Sequence, residues 1–139
     1  MIALRQSSCA AALLLILTAP TWAAEYTVRV QQVSTPAGKP VHVGEFYTIW
    51  PNCTLAKTAS FKVVQGPLHG RVASVRSQVV VNFVPPNPAA NCHGRMVMST
   101  NAVYTSKPGY VGQDFVEMEV DSHEGEPALV PVSITVTRP

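Results

Sequence analysis

Charge is scarce in this chain and evenly spread. Charged residues make up 13% of it, and ten Lys and Arg against eight Asp and Glu leave a net charge of +2. Arg29, Lys39, Lys57, Lys62, Arg71, Arg76, Arg95, Lys107 and Arg138 stand singly, with no basic run among them. Nucleic acid and anionic membrane surfaces are therefore poor candidate partners. Helical periodicity is missing too, which argues against a bundle of any kind. No G-x-S-x-G elbow, H-E-x-x-H helix or C-x-x-C pair occurs, so hydrolytic, metalloprotease and dithiol chemistry have no signature to stand on. Glu117 and Glu119 share one strand face, but a carboxylate pair needs a cleft partner that the sequence does not supply. The expectation is a protein without catalytic activity and without a cofactor.

The longest apolar run, Cys9 to Leu17, is nine residues, too short to span a bilayer. It follows Arg5, is broken by Pro20, and leads to Thr21-Trp22-Ala23 with small residues at the −3 and −1 positions. That is the pattern of a secretory signal peptide over residues 1–23, cleaved after Ala23 or Ala24. The expected product is a single domain over residues 24–139, periplasmic or secreted, of about 115 residues.

Cysteine usage agrees with export. Cys9 leaves with the signal, and Cys53 and Cys92 remain as an even pair in an oxidising compartment, most simply a disulfide. Such a bridge would close a loop of about 40 residues and contribute roughly 4 kcal/mol on the chain-entropy model. Residues 91–98, NCHGRMVM, also hold soft ligands, and His93, Met96 and Met98 form an alternative copper(I) set. Against it, Met96 and Met98 at a period of two fit one strand face turned to the core, where methionine fills gaps.

The rest of the chain consists of β-branched runs divided by Pro, Gly and Asn, the pattern of an all-β sandwich or barrel. Alternation over Tyr26–Gln31 gives a first strand, and Pro36-Ala37-Gly38 a turn. Extended runs follow at Val41–Trp50 and Phe61–Val64. A hairpin is expected over Arg71–Val75 and Gln78–Val84, bent at Arg76-Ser77. Val79-Val80-Val81 reads as covered on both faces. Residues 85–94 form the longest irregular segment. Two short strands are expected at Arg95–Ser99 and Ala102–Thr105. Phe115–Asp121 alternates with Val116, Met118 and Val120 on one face, and Ala128–Thr137 closes the fold. That makes seven to nine strands in one sandwich, with no internal repeat.

Two segments carry a resemblance. Gly66-Pro67-Leu68-His69-Gly70-Arg71-Val72 is similar to the G-P-x-H-G-x-V stretch of bacterial Ig-like and cadherin-like surface repeats. Tyr104 to Val120 resembles their later signature, Y-x-P-x-x-G-[FY]-x-G-x-D-x-F-x-Y-x-V, with Tyr104, Gly109, Tyr110, Gly112, Asp114 and Val120 on matching positions. Val116 and Met118 replace two aromatics, Ser106 replaces a proline, and the match spans roughly half of the exported part. The resemblance implies an Ig-like or cadherin-like sandwich, an exported location and a non-catalytic role, with these residues architectural. Physical reading agrees: glycines open turn conformations, Asp114 can accept from nearby backbone amides, and His69 is expected to satisfy a turn. No D-x-N-D-N or D-R-E run is present, so the calcium sites of cadherin-type repeats are not expected.

What remains is recognition. Trp50 beside Cys53, His93 and Arg95 in the segment the bridge would bring near, and Phe115 on the polar strand face are the candidate binding surface. The expected partner is a protein or a glycan, and an edge strand offers a route to a homodimer.

Overall fold

The computed structural model describes residues 31–139. The signal segment and the strand expected over Tyr26–Gln31, apart from Gln31 itself, lie outside the described residues. Seven strands follow: β1 Gln31–Pro36, β2 Val41–Phe46, β3 Ser60–Gln65, β4 Gly70–Val80, β5 Met96–Ser106, β6 Gly112–Asp121 and β7 Ala128–Thr137. A single 3-10 turn spans Ala90–Cys92. The strands form a four-stranded sheet in the order β1-β7-β6-β3 and a three-stranded sheet in the order β2-β5-β4. All neighbours are antiparallel except β1 and β7, which run parallel. The architecture is an all-β sandwich.

Period-two alternation builds the core. β6 buries Val116 and Met118, and β7 buries Val132, Ile134 and Val136. Across from them stand Val43 of β2 and Ala102 and Tyr104 of β5. β7 keeps the predicted bounds, β6 begins three residues before the predicted Phe115, and Val116 and Met118 share the buried face of β6 as predicted.

The predicted hairpin over residues 71–84 is corrected. β4 is one uninterrupted strand of 11 residues, paired in unbroken register with β5, and Arg76-Ser77 lie inside it. The two short strands expected around Arg95–Thr105 are likewise one strand, β5. Polar residues at Ser99, Thr100 and Asn101 read as a break in the sequence. In the fold they are buried and bonded: Asn101 donates to Ser77 Oγ and Ser99 donates to Asn101 Oδ1. A buried polar group costs little when its partners are supplied.

Strand parity explains a second correction. Thr100, Ala102 and Tyr104 face the core, and so would Met96 and Met98. The core between the sheets closes at the Phe46–Phe61 ring contact, however, at the level of Thr100, the register partner of Phe46. Beyond it, Met98 and Met96 are 41% and 56% exposed, and Val80, paired with Met96, is 54% exposed. The expectation that both methionines face a core, and that Val79-Val80-Val81 is covered on both faces, therefore fails. On the opposite face Val97 and Val81 are buried with Ile49, Ala89 and Cys92 in a separate small core.

Candidate functional site

The end of the sandwich opposite the disulfide is organised around one buried carboxylate. Asp114, at the start of β6, accepts from the backbone N–H groups of Leu68 and His69, both at 3.0 Å, and from that of Phe115 at 2.9 Å. It also accepts from the Tyr104 hydroxyl at 2.8 Å. The bond to Tyr104 joins the two sheets, and the bonds to residues 68 and 69 fix the β3–β4 loop. Burial works to raise the Asp114 carboxyl, but the Tyr104 hydroxyl and the three backbone donors outweigh it and hold it below the usual carboxylate range. Burial and then the hydrogen bond to Asp114 push the Tyr104 hydroxyl well above the usual phenol value.

The resemblance motifs meet here. Gly66 has φ +66°, and a Cβ on it would collide with the Phe115 carbonyl oxygen, so the loop can approach β6 only with glycine at this position. A Cβ at Gly70 would strike the Tyr104 ring. Gly109 and Gly112 also lie at positive φ. The predicted turn role of His69 belongs to its backbone, whose carbonyl accepts from Lys107 N–H at 2.7 Å. Its ring stacks on Tyr110, with centroids 4.1 Å apart and planes 6° from parallel.

This clip shapes a groove of about 420 Å³ on the outer face of β6 and β7, within the size range of small-ligand sites. Phe115, Leu68, His69, Gln65, Gln113 and Ser133 line it. Its floor is apolar and its rim polar, and the carboxylate that borders it, Asp114, is engaged by four donors. Phe115 was legible as a candidate, whereas Leu68, Gln65 and Gln113 were not. They belong to two segments 45 residues apart in sequence that the β3–β6 pairing and Asp114 bring together.

At the other end, Cys53 and Cys92 are bonded as expected, with Cα atoms 5.4 Å apart. Asn91 Nδ2 adds a bond to the Pro51 carbonyl at 2.9 Å. Trp50 to Cys53 form a tight turn closed by Cys53 N–H on the Trp50 carbonyl at 2.8 Å, with Cys53 itself at φ +66°. Ile49 and Leu55 bridge across it, so the extended run predicted to Trp50 becomes β2 followed by a small hairpin. Trp50 is 46% exposed, and His93 and Arg95 are exposed on the segment the bridge holds. These three share one end as predicted, while Phe115 lies at the opposite one. His93 Nδ1 is 3.2 Å from the Phe83 carbonyl oxygen, and Met96 and Met98 stand on the overhanging face of β5. Among the described residues no helix is long and apolar enough to cross a membrane.

No family model, curated protein or solved structure matches this chain. The functional reading therefore stands on the geometry and on the two sequence motifs.

Proposed function

We propose that this protein is an exported, non-catalytic Ig-like or cadherin-like module that recognises a protein or a glycan in the periplasm or outside the cell, using the groove beside Phe115. The observation that carries this reading is that hydrogen bonds within the protein build the groove without any ligand. Asp114, Tyr104 and the β3–β4 loop hold it, and a preformed site loses less freedom on binding. The disulfide and the apolar leader in the sequence support export. The motifs that suggested an Ig-like sandwich occupy the positions that build the clip. A carboxylate saturated by four donors is no general base, which favours recognition over catalysis. Affinity capture from envelope extract, with the exported protein as bait, tests the reading. A discrete partner held by the wild type and lost with Phe115→Ala and Gln113→Ala supports it, and equal capture by both variants contradicts it.

One observation favours a second reading. The exposure of Met96 and Met98 on one strand face frees two thioethers that a core position would have occupied, and with His93 they make a copper(I) set. Titration with Cu(I) checks this: stoichiometric binding tighter than micromolar, lost with Met96→Leu and Met98→Leu, is the outcome it requires.

A further inference from the structure

Topology creates a charge cluster that sequence order hides. Lys39, Arg71 and Lys107 are separated by 32 and 36 residues (71 − 39 and 107 − 71). Lys39 sits in the β1–β2 turn, where Gly38 N–H donates to Ser106 Oγ at 2.8 Å. Arg71 pairs with Thr105 at the start of β4, and Lys107 follows β5 directly. Gly38, Arg71, Thr105 and Lys107 line a single depression of about 430 Å³. Among the described residues, the carboxylate placed at this end is Asp114, and its four donors consume it. The next one along β6, Glu117, is three residues further down the strand, and Asp121, Glu124 and Glu126 belong to the turn at the far end. These three cations therefore have no free side-chain carboxylate beside them among the described residues.

Two aliphatic side chains protrude at the same end. Leu68 is 75% exposed and Val111 is 48% exposed. Their loops are fastened to each other by Lys107 Nζ on the Leu68 carbonyl at 3.0 Å and by the His69–Tyr110 stack. Cations and aliphatic tips presented at one end of a domain are what an anionic bilayer surface selects: headgroups attract the charges, and the tips enter the acyl boundary. A dissolved polyanion would use the cations alone and leave Val111, which does not line the Phe115 groove, without a role.

We infer that this end docks reversibly onto an anionic phospholipid surface. The premise that made membranes poor partners, a lack of any basic run, holds along the sequence and fails in three dimensions. Lys39, Arg71 and Lys107 do not line the Phe115 groove, so the charge substitutions test this surface separately from it, whereas Leu68 also lines that groove.

Flotation of the exported protein with vesicles of phosphatidylglycerol and phosphatidylcholine in equal parts provides the test, with pure phosphatidylcholine vesicles and dextran sulfate beads as comparisons. Binding is expected to the anionic vesicles and not to the neutral ones, and it should weaken as salt rises. Each charge removed by Lys39→Gln or Arg71→Gln should lower partition about fivefold. The pair Leu68→Ser and Val111→Ser should weaken vesicle binding while leaving capture by dextran sulfate unchanged. All four positions are exposed, and unchanged melting temperatures will show that the variants fold. Absence of binding to anionic vesicles overturns the inference, as does unaltered binding after the charge substitutions. Equal vesicle binding by the serine pair also overturns it, because the site would then be a simple polyanion exchanger.

Discussion

At the scale of single residues, Asp114 and Tyr104 carry the most consequence. Replacing Asp114 with Asn removes the charge that four donors converge on and places an NH2 group among N–H groups. A loss of about 3 kcal/mol in chemical denaturation is expected, since buried donors left unpaired cost their full desolvation. Tyr104→Phe removes one donor only, leaves the three backbone bonds, and should cost about 1 to 2 kcal/mol. The pH dependence has a definite sign at each end of the scale. The folded-state pKa of Asp114 lies below its ordinary 3.8, so its contribution is present above that value and is lost as pH falls below it. The folded-state value of Tyr104 lies above its ordinary 10.0, so its contribution is full below pH 10 and is lost as pH rises beyond it. Melting temperature measured against pH should fall off at both limits, and Asp114→Asn should flatten the acid limb. Asp114's bond to the neighbouring Phe115 amide was legible from its place before the strand, whereas its bonds to the Leu68 and His69 amides, 46 and 45 residues away, were not. Its tie to Tyr104 was not, because nothing local in sequence says that strand β5 lies across from β6.

Elements show why some of the fold could be read and some could not. β6 and β7 alternate cleanly because each has one face in the core and one in water, and the bounds of β7 and the end of β6 follow from that alternation, while β6 starts three residues before the predicted Phe115. β4 and β5 broke the rule for two different reasons. In β5 the inward polar residues find partners on neighbouring strands, so polarity marks a satisfied network rather than a turn. In β4, an edge strand, Ser74 and Arg76 are exposed on what would be the inner face, so no core selects against them. Beyond the Phe46–Phe61 contact, the buried face of β5 switches from the even residues to Val97. Substitution should reveal this switch: Val97→Ala is expected to cost about 2 kcal/mol, whereas Met98→Gln should stay within about 0.5 kcal/mol of wild type. The disulfide acts at the same scale. It pins the segment between Val81 and Gly94, which closes on itself through paired backbone bonds between Val81 and residues 94 and 95. Replacing Cys53 and Cys92 with Ser should lower stability by about 4 kcal/mol on the chain-entropy model for the 39-residue separation. Faster amide exchange should appear first at Ala89, Ala90 and Cys92, while the two sheets persist.

For the molecule as a whole, the two ends have different characters. One is a stapled loop cluster bearing Trp50, His93 and Arg95, and the other is a hydrogen-bonded clip bearing the groove and the basic rim. The sequence made the first end legible, since cysteines announce their pairing. The second depends on segments that meet only after the sheets stack. Among the described residues four sheet edges also remain, of which β4 is the longest at 11 residues. If an edge strand carries a homodimer, sedimentation at rising concentration should show it, and a proline at Ser74, inside the exposed edge, should abolish the larger species. The recognition reading puts the working surface at Phe115 rather than at Trp50, and photo-crosslinking in the native envelope separates the two. With a photoreactive side chain at Gln113, the account predicts a discrete covalent adduct that is absent when the same group replaces Trp50. Adducts from position 50 alone, or from neither position, would contradict it.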